Sequence, residues 1–225
     1  MLLALVTAAL TTSGGTASQA VAAPGIHPIS GRQIAPVMSH AAADWLDRPG
    51  RGAEERPERA LDAIGIKAGQ VVADVGAGSG YYTVRLARRV APGGRVYATD
   101  IQPEMIALLR ERLAREKVSG VDPVLATDVD PRLPEGSLDL VLMVDVYHEL
   151  SHPQAMLRKL KRSLKPGGRL VLIEFRKEDP DVPIRFEHKM SVAEARLELE
   201  AEGYRLDRVS DVLPWQHILI FGVGS

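Results

Sequence analysis

Residues 71–82 read VVADVGAGSGYY. An apolar run broken by one acid, Asp74, passes into glycines at positions 76, 78 and 80, and a helical pattern follows at once. Glycine lets the backbone turn tightly and lets a ligand come close. The helix start beyond it presents free N–H groups and a positive dipole end. Working outward, the same punctuation recurs. Lys67-Ala68-Gly69-Gln70 precedes VVADVG, Pro92-Gly93-Gly94-Arg95 precedes VYATD, and Pro166-Gly167-Gly168-Arg169 precedes LVLIEF. Pro presets the first central position of a type II turn and Gly supplies positive φ at the second. Helix, turn and buried strand in repetition predict an α/β fold, a parallel sheet covered by helices. The strands read as continuous apolar runs, as strands buried on both faces do.

The expected elements follow. A polar helix covers residues 53–64, with Pro57 inside it or at a break. Strands are expected at 71–75, 96–99, 123–127, 138–144 and 170–175, with helices at 81–90, 103–116 and 153–164 between them. Met105, Leu108, Leu109 and Leu113 form the buried face of the second of these helices. Ser191 with Glu194 three residues on is a capping box that opens a further helix. Strands at 205–210 and 216–221 close the chain as β-turn-β, without another crossover helix.

The chain of 225 residues is 45% hydrophobic and 25% charged, which excludes collagen-like, disordered and disulfide-scaffold classes. With 28 Lys and Arg against 29 Asp and Glu, and 4% aromatics, it lacks the basic face and the stacking platform of a nucleic-acid binder. Cysteine is absent, which removes disulfides, thiolate metal sites and a Cys nucleophile. Leu2–Leu10 is an apolar run too short to span a bilayer, and small residues follow to Ala23. Residues 1–23 are read as an export signal, 24–40 as a Pro-, Gly- and Ser-rich linker, and 41–225 as the folded domain. The expected compartment is therefore outside the cytoplasm, with no stable membrane insertion once the signal is removed; a cytoplasmic location is the alternative.

Two acids flank the glycine loop. Asp74 ends a buried strand, where an unpaired carboxylate is costly, and a ligand ammonium would relieve it. Asp100 ends the next strand, 24 residues after Gly76, near the spacing at which a carboxylate holds ribose hydroxyls. A dehydrogenase fingerprint, G-x-G-x-x-G, fits less well, since its third Gly falls one residue early and position 81 is Tyr.

D-x-G-x-G-x-G after a strand, an acid ending the next strand, LKPGG before a later strand and the SLDLVLMVDVYHELSHP segment together resemble the class I S-adenosylmethionine-dependent methyltransferases. The likeness covers about residues 60–222 and is nearest the branch acting on small molecules, including exported bacterial members. It implies a doubly wound, mostly parallel seven-stranded sheet with an antiparallel last strand, the Rossmann-like methyltransferase fold. It also implies S-adenosylmethionine as cofactor, with Asp74, Gly76, Ala77, Gly78 and Gly80 at the methionine part, Asp100 at the ribose and Ile101 as a further cofactor contact. Asp128 and Val129 then take the adenine edge, with Asp130 as the other possible contact in ATDVDPRLP, and Asp145 completes the set. The implied partner is a small-molecule acceptor and no nucleic acid. The alternative is an exported ligand-binding protein on the same scaffold without catalysis.

Ligands in open α/β sheets sit outside the carboxyl ends of the strands. Topology brings three segments there: 145–149, 176–190 and 213–217. His148 is the candidate base, with Tyr147 second, since an unperturbed His titrates near neutral pH. His188, Trp215 and His217 are the candidate substrate contacts. Trp45, in the charged stretch before the first strand, is a candidate cover for the site. His148-Glu149-Leu150-Ser151-His152 matches H-E-x-x-H, but Pro153 opposes a helix through it, so no metal is assigned. A looser site from His148, His152 and a carboxylate is the other reading.

Overall fold

The computed structural model describes residues 25–224. The apolar run 2–10 and the small residues to 23, read as an export signal, lie outside them. Among the described residues no helix is long and apolar enough to cross a membrane.

Strands β1 (Val71–Val75), β2 (Arg95–Asp100), β3 (Val121–Leu125), β4 (Leu138–Val144), β5 (Leu164–Arg176), β6 (Lys189–Met190), β7 (Tyr204–Ser210) and β8 (Gln216–Val223) form one sheet. Its order is β3-β2-β1-β4-β5-β8-β7, with the two-residue β6 paired to β5. β1 lies parallel between β2 and β4, so the chain reverses its winding there. The last strand, β8, runs antiparallel to both β5 and β7. The architecture is the Rossmann-like methyltransferase fold, with the short β6 added to the expected seven strands.

Helices α1 (Ala43–Leu46), α2 (Arg51–Glu55), α3 (Pro57–Ile64), α4 (Tyr81–Val90), α5 (Pro103–Arg115), α6 (Pro153–Ser163) and α7 (Val192–Ala201) surround it. Alternation along the strands divides the core. Val72, Leu140, Leu142, Val171 and Ile173 pack with α3 and α4. Ala73, Val141, Met143, Leu170 and Leu172 pack with α6 and α7 on the opposite face. The period of two in side-chain direction thus gives the sheet two apolar faces.

The third strand shifts from the expected 123–127 to Val121–Leu125 and the fifth begins at Leu164 and not at 170, and three larger expectations change. The helix expected over 53–64 is two helices, because Arg56 takes φ 45° just before Pro57. On α5 Ile106 is buried while Leu108 is half-exposed. The stretch read as a linker is packed onto the domain from residue 25 onward: His27, Arg32 and Ala35 are buried. Arg32 forms a two-pronged pair with Glu198 of α7, at 2.8 and 3.2 Å, and Ser30 also donates to Glu198. A tertiary ion pair fixes this strap, which no local pattern announces. The capping box of α7 forms in both halves, Ser191 Oγ accepting from Glu194 N and Glu194 from Ser191 N.

Candidate active site

The sheet ends in a cavity of about 680 Å³ at the carboxyl edge of β1, β2 and β4. This is where the winding reverses, the usual ligand crevice of open α/β sheets.

Its floor is the loop after β1. Gly76 and Ala77 donate their N–H groups to the Thr99 carbonyl at 2.8 and 2.9 Å, which pins the loop to β2. Gly76 has φ +74° and Gly78 φ +54°, and both line the cavity. A Cβ on Gly76 would stand 2.5 Å from a Val146 methyl, and one on Gly78 would stand 2.8 Å from Leu46. Only a residue without a side chain keeps this cradle open while adopting its backbone. Ala77 is buried beneath it, and Gly80 meets Leu109 of α5, so neither is on the wall.

Asp100 lines the cavity, its Oδ2 accepting from Gly78 N at 3.0 Å and its Oδ1 from Gln102 N at 2.9 Å. Burial raises its carboxyl, and the donated N–H groups oppose the rise. Each oxygen keeps a second lone pair. Ile101 and Asp128 complete this end of the wall; Val129, exposed, does not reach it, and Asp130 pairs with Lys159 outside.

Asp74 stands elsewhere than expected. It is 3% exposed and off the cavity wall, under the loop, with Oδ2 held by the Thr83 hydroxyl at 2.6 Å. Burial pushes its carboxyl up to about 6, against the Thr83 bond and the Arg51 charge. Asp145 is the acid on the wall instead. It takes φ 53°, accepts from Gln216 Nε2 at 2.7 Å on Oδ2, and leaves Oδ1 without a partner and cut off from solvent. Burial and then the charges of Glu55 and Glu174 push its carboxyl well up, opposed by Gln216 and Arg51.

The opposite wall carries His148, on the 3-10 turn Tyr147–Glu149 that follows β4. His148 Nδ1 lies 2.6 Å from Glu174 Oε2, and the other Glu174 oxygen accepts from Tyr147 N at 2.9 Å. With Nδ1–H donating to that carboxyl, Nε2 keeps its lone pair, 3.1 Å from His188 Nδ1. The His148 carbonyl accepts from Ala35 N at 3.1 Å and Arg32 Nη1 at 3.0 Å, so the strap holds the turn. Burial and His148 lower the His188 imidazole. Burial pushes Glu149 up to about 7, against the attraction of His148.

Three expected contacts lie elsewhere. Tyr147 is fully buried among core residues of the α6 face, since consecutive residues of a 3-10 turn point about 120° apart and His148 takes the direction of the cavity. His217 is buried, off the cavity wall and paired in register with Glu174. Alternation along β8 sends Gln216 to Asp145 in its place. Trp215 is half-buried and off the wall, contributing its carbonyl to Arg176 N at 3.0 Å. H-E-x-x-H does not form a helical pair: His152 turns outward to Asp128 at 3.1 Å. Sequence reasoning missed Glu174, Gln216 and the strap's Pro36, Val37 and Met38. An acid inside the apolar run LVLIEF was the one visible signal for Glu174. Trp45 and Leu46 of α1 do stand on the wall, with the Arg48 guanidinium 3.8 Å above the Trp45 ring.

Comparison with known proteins agrees with this geometry. Residues 73–172 match a family described as methyltransferase domain. A SAM dependent methyltransferase from Aquifex aeolicus is 32% identical, with a TM-score of 0.78 over 82% of this chain and 98% of that one. A putative type 11 methyltransferase from Sulfolobus solfataricus, 22% identical, has a TM-score of 0.63 over 76% of this chain and 94% of its own. The ubiquinone/menaquinone biosynthesis C-methyltransferase UbiE of Hydrogenovibrio crunogenus is 34% identical over 119 residues, 52% of this chain and 47% of its own. The chain therefore spans about half the length of that relative.

Proposed function

The chain belongs to the S-adenosylmethionine-dependent methyltransferases, and from that premise we propose that it methylates a small, largely apolar acceptor seated between the glycine cradle and His148. The observation that carries this reading is one cavity with two unlike walls. On one side are the open cradle, Asp100 and Asp145; on the other is a buried imidazole backed by a carboxyl. The residues fit the cofactor. A side chain at Gly76 or Gly78 would fill its place, and the unpartnered Asp145 oxygen suits an ammonium group.

When bound, S-adenosylmethionine supplies an electrophilic methyl group on a sulfonium whose departure leaves a neutral thioether. Asp145 would hold the ammonium, Asp100 the ribose hydroxyls, and Ile101 with Asp128 the adenine side. Asp74 acts from below, through Thr83, on the shape of the cradle. The protein's main contribution to rate is to align the acceptor atom, a proximity effect. His148 Nε2, its ring oriented by Glu174, is placed to take the proton that the acceptor gives up. Val37, Met38, Phe175 and Ile184 give that end of the cavity an apolar lining. Because the UbiE relatives are named for ubiquinone/menaquinone biosynthesis, we take quinone-related hydroxyaromatic rings as the acceptor class to assay first.

Calorimetry with S-adenosylmethionine, paired with turnover on a hydroxyaromatic panel, tests the reading. Asp145→Asn should weaken cofactor binding about tenfold or more, the size of a charged hydrogen bond. His148→Ala should abolish turnover and leave cofactor affinity nearly unchanged. Tight cofactor binding with no turnover on any ring of the panel would overturn the acceptor assignment; an active His148→Ala would remove the base.

A further inference from the structure

Among the described residues, one group of His and carboxylate side chains brings three donor atoms within 4.8 Å of one another: His148, Glu149 and His188. His148 Nε2 lies 3.1 Å from His188 Nδ1 and 3.8 Å from Glu149 Oε1, and His188 Nδ1 lies 3.7 Å from that same oxygen. All three residues line the cavity. We propose that this triangle binds a divalent transition-metal ion, leaving an open position toward the cavity for an oxygen of the acceptor.

Distances support it. A tetrahedral ion with bonds of about 2.0–2.1 Å sets its donors roughly 3.4 Å apart, and the three separations straddle that spacing. The two imidazole rings meet edge-on, 85° apart with centroids at 5.1 Å, so their facing nitrogens converge and the rings do not stack. Two imidazoles and one carboxylate suit zinc, cobalt or ferrous iron, and three protein donors with one vacancy are the pattern of reactive metal sites. Calcium and magnesium, which take oxygen donors, fit this set poorly.

The support around the donors points the same way. Glu174 on His148 Nδ1 at 2.6 Å is a carboxylate–histidine arrangement that fixes the tautomer with Nε2 free to ligate. Met38 of the strap lines the cavity together with Glu149, so the strap closes the site on that side. The third donor is His188, on the 3-10 turn Phe186–His188, and not the His152 of the H-E-x-x-H match. Two loops 40 residues apart in sequence thus supply the set.

This inference rests on the His148 end being the acceptor's side. With an ion in place His148 Nε2 is a ligand, and the ion replaces the imidazole as the group that makes a bound oxygen acidic. The untagged full chain, stripped with a chelator, is titrated with Co²⁺ and with Zn²⁺ while visible absorption and heat are followed. Both ions should bind, and Ca²⁺ should not. His188→Ala should lose the ion and His152→Ala should keep it. Glu174→Gln leaves all three donors in place but turns the His148 proton onto Nε2, and should weaken binding roughly 10–100-fold. S-adenosylmethionine calorimetry on each variant shows that the fold is intact. Failure of the wild-type chain to bind Co²⁺, or unchanged binding by His188→Ala, overturns the ion site. Methyl transfer by a chain that binds no Co²⁺ overturns it too and leaves the proposed function standing. Ion binding at the triangle with no transfer on the panel does the reverse.

Discussion

Asp74 is a carboxyl group under a loop, and its cost is a function of pH. Burial holds its folded pKa at about 6, above the ordinary value near 3.9 of an unfolded chain. A carboxyl raised in the folded state contributes stability that is fully present below about pH 4 and is lost as pH rises through about 6. Two units correspond to about 3 kcal/mol. Glu149, raised by burial to about 7, titrates in an overlapping range, so the wild type alone does not isolate Asp74. The comparison with Asp74→Asn does. Denaturant unfolding at about pH 4, where the unfolded carboxyl is already half ionised, and at about pH 7.5 should show the variant gaining roughly 2 kcal/mol on the wild type between the two. A constant difference would mean that the carboxyl titrates as in water. The sequence shows that an acid ends the strand but not which way it points. Asp74 shares the strand face of Val72, where α4 and Thr83 cover it, while the wall goes to Asp145 at the end of β4. The same alternation exchanges His217 for Gln216.

The elements that carry strong local signals are legible in the sequence. β1, β4 and α4 have the bounds that apolar runs and glycine turns predict, and the acid–serine pair opening α7 forms as its spacing says. The strap is not legible, because its composition is that of a linker and its structure comes from Glu198, 166 residues beyond Arg32. Both side chains are out of solvent, and His27 Nε2 lies 3.1 Å from the same carboxyl. Removing one partner of a buried pair leaves an uncompensated charge, which costs about 3–5 kcal/mol. Glu198→Leu should therefore destabilise the protein by about that much in denaturant unfolding. Arg32→Met combined with Glu198→Leu should cost less than the two single changes added together, since no lone charge remains. Full additivity would mean that the strap is held by its backbone and not by the pair.

A ligand in the cavity would touch segments far apart in the chain: the strap at Pro36–Met38, α1 at Trp45 and Leu46, the glycine loop, the end of β2 and the end of β4. Gln102, just past β2, also joins the strap to the sheet edge, donating to the Met38 carbonyl at 2.9 Å and accepting from His40 N at 2.9 Å. Binding should then stabilise the N-terminal strap and the sheet together. A ligand at one hundred times its Kd adds about 2.7 kcal/mol to unfolding. A chain beginning at residue 39 keeps the cradle, Asp100, Asp145 and His148 but loses Val37, Met38 and the two donors to the His148 carbonyl. If the strap is a true wall of the cofactor and acceptor site, its loss weakens S-adenosylmethionine about tenfold. The same ligand concentration then adds only about 1.4 kcal/mol. Chemical unfolding of both chains, with and without ligand, measures the two gains. The ligand-free curves absorb whatever the strap contributes to folding alone, so only the difference bears on binding. An equal gain in the shortened chain would show that the strap braces His148 without touching what the cavity holds.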